Sequence, residues 1–126
     1  MRINDPEVVA ELRDLYPRYE AALVNNDAAA LIGMFWTSEL AMRFGVAENL
    51  YGIEEIAAFR KGRAPVNLAR TIRRLDIVTF ARDYGSVTLE FERAVDGRTV
   101  SGRQSQVWVR FAEGWRIVAA HVSLLP

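Results

Sequence analysis

Gly114-Trp115-Arg116-Ile117-Val118-Ala119-Ala120-His121-Val122-Ser123 reads as a β-strand, apolar and rich in β-branched residues, entered from a hairpin turn at Glu113-Gly114. Two-residue alternation places Trp115, Ile117, Ala119, His121 and Ser123 on one face and Val118, Ala120 and Val122 on the other. Both faces are largely apolar, so both need a cover. A helical layer covers one. For the other, the expected cover is a second copy of the chain docking through the sheet, with a long loop as the alternative. His121 is the sole histidine of the chain. A buried polar ring without a partner costs roughly 1–3 kcal/mol, so His121 needs either a wet pocket or a hydrogen-bond partner in the core.

Working outward from that strand, Val100 to Phe111 is its long antiparallel neighbour, and Asp96-Gly97 turns the chain into it from Gly85 to Ala94. Arg70 to Phe80 is a further strand, so the second half reads as a meander. The first half is helical. Asn4 or Asp5 followed by Pro6 is an N-cap, and Val8, Val9, Leu12, Leu15, Tyr16, Tyr19, Ala22 and Leu23 form a stripe that runs to about Val24. Pro17 predicts a bend near residues 13–17. Asn25-Asn26-Asp27 separates a short second helix, Ala28 to about Met34. Leu40 to Phe44 is a short strand, residues 45–52 a loop or short hairpin, and Ile53 to Lys61 a third helix that Gly62 to Asn67 ends. The sum is an α+β fold in a single domain over residues 1–126, with three N-terminal helices packed in a curved antiparallel β-sheet. Such a sheet wraps its helices as a cone, and the open end of a cone suits a small ligand.

Composition narrows the chemistry. Sixteen basic and sixteen acidic residues cancel, so no global field draws nucleic acid or an acidic membrane. The chain has no cysteine and one histidine, which excludes disulfides, thiolate catalysis, and Cys-type or His-rich metal sites. We expect no metal and no cofactor. No apolar run reaches the roughly 18–20 residues of a membrane-spanning helix. Met1 to Glu7 lacks the apolar core of a signal peptide, so the expected location is cytoplasmic.

Several side chains stand out against this background. Gly102-Arg103-Gln104-Ser105-Gln106 puts four polar side chains in a row on a central strand, so two face inward in either register. We assign the Arg103 and Ser105 face to a pocket beside His121, and read Gln104 and Gln106 either as pocket wall or as an interface patch rich in hydrogen bonds. Tyr19 lies on the buried stripe of the first helix; its phenol suits a proton donor, or it packs with its hydroxyl on a backbone carbonyl. Arg43, inside the apolar run Ala41 to Phe44, needs an anion: a bound carboxylate, or Glu48, Glu90 or Glu92 as an internal ion pair. Arg60 and Arg63 add positive charge at the end of the third helix; either could instead be solvated surface, and Arg63 is expected at the surface or in an ion pair. No G-x-S-x-G nucleophile motif or glycine-rich phosphate loop occurs.

The helix–sheet order and the closing Gly-Trp-Arg-Ile-Val-Ala-Ala-His-Val-Ser resemble the SnoaL-like, cystatin-like α+β cone superfamily, which holds isomerases, cyclases, dehydratases and pure binders. Within it, Tyr19 to Leu23, Phe35-Trp36, Arg43 to Gly52, Ile56 to Arg60 and Gly102 to Gln106 are similar to the AtzH-like family over about residues 5–125. That resemblance implies decarboxylation of 1,3-dicarboxyurea to allophanate in cyanuric acid or urea catabolism, beside an amidase. It implies Tyr19 and Arg43 as the catalytic residues. The second carboxylate of such a substrate would fall to Arg60, Arg103, Ser105 or His121. One departure is Ala81, where the family pattern calls for glycine. Two other readings stay open: a non-catalytic small-anion binder or amidase accessory protein, and an isomerase or hydratase with His121 as base.

Overall fold

The structure, a computed structural model, describes residues 1–126. Its elements follow the order α1 (Pro6–Val24), α2 (Ala28–Gly33), β1 (Met42–Phe44), β2 (Asn49–Tyr51), α3 (Gly52–Gly62), β3 (Thr71–Phe80), β4 (Tyr84–Val95), β5 (Arg98–Phe111) and β6 (Gly114–Leu124). The Asp5 side chain caps α1 by accepting from the Glu7 N–H at 3.1 Å, with Pro6 in the first turn, where its missing donor costs nothing. The helix runs on through Pro17 as one continuous element. Asp27 caps α2 through the Ala30 N–H, also at 3.1 Å. Residues 45–48 connect a true hairpin, since β1 and β2 pair antiparallel.

The six strands form one sheet in the order β2-β1-β6-β5-β4-β3. The last four make the expected antiparallel meander, and Asp96 and Gly97, both with positive φ (50° and 76°), supply the type of turn that closes a two-residue hairpin. The sheet is not wholly antiparallel, however. β1 lies parallel to β6, with Arg43 opposite Ala120 and Phe44 opposite His121. A parallel pair needs a long crossover, and here the whole chain between residues 44 and 114 serves as that crossover.

One irregularity decides what the last strand can do. Val107 pairs with Ala119 while Trp108 pairs with Ile117, so Val118 is an extra residue, a β-bulge. The bulge reverses the alternation. Trp115 and Ile117 are buried, but beyond Val118 the inward residues are Ala120, Val122 and Leu124, whereas His121 and Ser123 turn outward.

The concave face holds the core. Val8, Leu12, Tyr16, Tyr19 and Leu23 of α1 belong to one buried cluster with Val87, Leu89, Phe91, Trp108 and Ile117 of the sheet. Each large side chain buried in this way contributes about 1.5–3 kcal/mol. Near the start of α1 the cone is tied shut: Arg110 reaches both carboxylate oxygens of Glu11 at 3.0 Å and Asp83 at 3.0 Å. The later turns of α1 therefore face the open end.

Ala81 begins the β3–β4 turn at φ +52°, a left-handed conformation that costs an L-residue roughly 1–2 kcal/mol. This is the one position where the sequence departs from the expectation of glycine. Ala81→Gly is expected to stabilise the fold by about 0.5 kcal/mol net, because the relieved strain outweighs the added freedom of the unfolded chain. Thermal unfolding should rise by about 2 °C; a fall would show that the turn is unstrained.

Candidate functional site

A cavity of about 280 Å3 opens between the last turns of α1, the β1–β2 loop, the start of β3 and the ends of β4 to β6. Tyr19, 3% exposed, and Arg43, 6% exposed, both line it. Tyr19 reaches it because it lies one helical turn short of Leu23, another lining residue, on the buried stripe of α1. Arg43 reaches it because it is the inward residue of β1, opposite Ala120.

The two tyrosines of that stripe differ in what their hydroxyls do. Tyr16 donates to Glu20 at 2.6 Å and accepts from Arg70 and Gln104 at 3.2 and 3.1 Å. Burial first, then the Glu20 charge, push its pKa upward, so its proton is committed. Tyr19 has Arg60 as its one polar partner, with Nη2 at 3.5 Å from the hydroxyl, the outer limit of a hydrogen bond. An arginine can only donate, so the hydrogen of Tyr19 is free to serve a ligand in the cavity.

Electrostatics favour an anion there. Arg43, Arg63, Arg70 and Arg93 line the cavity, and Arg60 stands behind Tyr19. Facing these five guanidiniums are two carboxylates, Glu48 on Arg43 at 2.8 Å and Glu20 on Arg70, an excess of three positive charges in a chain of zero net charge. Arg43, Arg60 and Arg63 bring their guanidinium carbons to 5.3, 5.9 and 5.4 Å from the centre of the Phe59 ring, whose π-face offsets part of their mutual repulsion. Arg70 lies 4.4 Å over Phe91 in the same way. Burial lowers the proton affinity of Arg60, with the Arg43 and Arg63 charges adding to it against the opposing Tyr19 hydroxyl. Arg60 Nε is buried without a hydrogen-bond partner.

The internal ion pair foreseen for Arg43 is therefore formed, with Glu48, while Arg43 still faces the cavity. Gly45 makes room for it. A β-carbon at that position would sit 1.8 Å from the Glu48 Oε1, so any larger residue pushes the carboxylate aside.

A family model described as AtzH-like matches residues 1–126. The chain belongs to the AtzH-like family. The AtzH-like chain is 47% identical to a protein of unknown function from Pectobacterium atrosepticum, covering 98% of this chain and 95% of that one with a TM-score of 0.92. It is 41% identical to a cystatin-like fold protein from Burkholderia xenovorans, covering 100% and 99% with a TM-score of 0.90. A ketosteroid isomerase-like protein from Erwinia carotovora, 16% identical over 95% and 98% with a TM-score of 0.75, shares the fold alone. No curated protein matches the sequence. The architecture is thus the α+β cystatin-like fold with a curved six-stranded sheet.

Of the residues singled out in this AtzH-like sequence, Tyr19 and Arg43 come together at the cavity, and Arg60 reaches the Tyr19 hydroxyl from behind it. Arg103, Ser105 and His121 do not. Trp108 is fully buried, and in phase with it Gln104 and Gln106 point inward at 4% and 1% exposure, which sends Arg103 and Ser105 to the outer face. His121 pairs across from Ser105 on that outer face and packs edge-on against Phe44, its ring centre at 5.8 Å. Its one link to the interior is a crevice of about 10 Å3 shared with Tyr19 and Arg43, room for a single water at most. Arg103 donates to Ser123 at 3.1 Å on the same side. Gln106 is structural, its carbonyl accepting from the Trp108 indole at 3.0 Å, whereas Gln104 lines the cavity.

Proposed function

We propose that the protein is a decarboxylase of a small N-carboxylated urea, releasing carbon dioxide from 1,3-dicarboxyurea to leave allophanate. The observation that carries this reading is the Tyr19 hydroxyl, its hydrogen uncommitted, held beside Arg43 in a cavity with surplus positive charge.

The chemistry follows from those groups. Arg43 grips the carboxylate that is to leave and fixes the N–C bond in front of Tyr19. The tyrosine gives its proton to the nitrogen, the N–C bond breaks with its electron pair remaining on nitrogen, and the carboxyl group departs as carbon dioxide. The Tyr19 oxygen is left as a phenolate beside the Arg60 guanidinium and regains a proton from water. One proton is consumed per turnover. No step calls for a redox or carbanion-stabilising cofactor, because the electron pair rests on nitrogen. A second copy of the chain, covering the half-buried Val107, Val109 and Ala119 on the outer face of the sheet, is the partner we propose; sedimentation at micromolar concentration tests it by showing a dimer.

The direct test supplies dicarboxyurea, made in place by an amidase, and measures carbon dioxide and allophanate. A rate no higher than buffer alone would exclude the activity and leave an anion-binding protein, which a thermal shift with dicarboxylates would reveal. Glu48→Gln is a finer check. The carboxylate of Glu48 competes with substrate for Arg43, so its removal is expected to lower KM several-fold with kcat nearly unchanged, measured at fixed ionic strength.

A further inference from the structure

We propose that Arg63 and Arg93 form a second anion subsite, so that the cavity is a two-ended receptor which selects dianions over monoanions. This rests on the reading of Tyr19 and Arg43 as the reacting end, and it assigns the other end, since Arg103 and Ser105 face outward, His121 meets the interior only through a narrow crevice, and Arg60 stands behind Tyr19 at the reacting end.

Arg93 continues an inward row. Val87, Leu89 and Phe91 of β4 are buried at 0%, 1% and 2%, and the same two-residue step brings Arg93 to the cavity wall. An arginine in that phase carries its charge into the concave side, where apolar residues precede it. Its Nε is buried without a hydrogen-bond partner. Arg63 follows α3 directly and lines the same cavity from an exposed position. Neither residue takes part in any of the nine ion pairs, although Arg43 and Arg70 on the same cavity are each paired with a glutamate. Two guanidiniums that face one cavity and repel each other, as Arg63 and Arg93 do, leave a place that an anion fills at a gain.

The placement also sets a length. Arg43 stands on β1 and Arg93 on β4, three strand spacings apart, or roughly 14 Å between backbones, with both long side chains reaching inward. A ligand that meets both ends carries its two carboxylates several atoms apart. The five-carbon dianion glutarate has the same count of atoms between carboxylate carbons as 1,3-dicarboxyurea and does not react. Butyrate offers a single carboxylate on a similar chain.

Calorimetric titration of the full chain with glutarate and with butyrate, at one ionic strength, decides the matter without any turnover. The wild type is expected to bind glutarate at least tenfold more tightly than butyrate. Arg93→Gln and Arg63→Gln should each weaken glutarate binding, the former by tenfold or more, while butyrate binding stays within twofold. Arg93→Lys, which keeps the charge, should recover part of the preference, an outcome that a purely structural role would not give. Equal affinity for the two anions in the wild type, no binding of either, or a loss shared equally by both anions in Arg93→Gln would overturn the subsite. Arg43→Gln separates the two readings: unchanged butyrate binding there would refute Arg43 as the first anchor, while the Arg93 comparison still decides the second.

Discussion

Tyr19→Phe is expected to slow carbon dioxide release from dicarboxyurea by 10²-fold or more in kcat, with KM changed by less than about threefold. The substitution removes one oxygen and leaves a ring of nearly the same shape. The ring packs 5.9 Å from Tyr16 and is buried in the core cluster, so the fold has no reason to rearrange. What disappears is the acid, and the nitrogen must then take its proton from water that no side chain positions for the transfer. The arginines that grip the substrate are untouched, so binding persists. Arg60 sharpens the expectation. A phenolate 3.5 Å from its guanidinium gains roughly 4–5 kcal/mol at an effective dielectric of 20, a stabilisation present only after proton transfer and so one that favours the reaction rather than binding. A Tyr19→Phe enzyme with wild-type kcat would remove the tyrosine from the chemistry altogether. A rise in KM with kcat preserved would recast it as a binding residue.

How much of this was legible in the sequence depends on how local each signal is. The helices and hairpins announce themselves through caps, stripes and turns within a few residues, and Asp5-Pro6, Asp27 and Asp96-Gly97 all do in the structure what their types favour. The parallel pairing of β1 with β6 is a contact across most of the chain, and nothing in Ala41 to Phe44 specifies its partner. The misplacement of His121 has a single cause. Alternation counted from Trp115 is right as far as Ile117 and wrong after Val118, because a bulge adds one residue and no local signal marks it. The outward placement of Arg103 and Ser105 has a local signal: Trp108 demands burial, and steps of two back from it give Gln106 and Gln104 as the inward pair. Arg93 was readable in the same manner from Val87, Leu89 and Phe91. Arg70, Glu20 and Tyr16 were not, since their network joins α1, the segment entering β3, and β5 only once the fold exists.

That network carries the largest effect on stability. Arg70→Met is expected to cost about 3–5 kcal/mol, lowering the unfolding temperature by roughly 12–20 °C. The Arg70 side chain is 4% exposed and that of Glu20 17%. Arg70 Nε donates to Glu20 at 3.1 Å, and its Nη2 serves Glu20, the Tyr16 hydroxyl at 3.2 Å and the Gln104 carbonyl at 3.0 Å. Methionine fills the space over Phe91 but leaves a nearly buried carboxylate and an amide carbonyl without their partner. The cost therefore lies in the groups left behind more than in the bonds lost. A second variant tests that distinction: Arg70→Met combined with Glu20→Leu removes both charges and should be more stable than Arg70→Met alone, since replacing a whole buried pair is often neutral. If the double variant is as unstable as the single one, the loss is one of packing against Phe91 and not of an orphaned charge. The consequence reaches the reaction, because Tyr16 and Glu20 flank Tyr19 on α1 and Gln104 belongs to β5. With this tie cut, the turn that carries the proposed acid keeps only the Tyr16–Gln104 hydrogen bond of this network to β5, and kcat should fall in Arg70→Met even at temperatures where the chain stays folded.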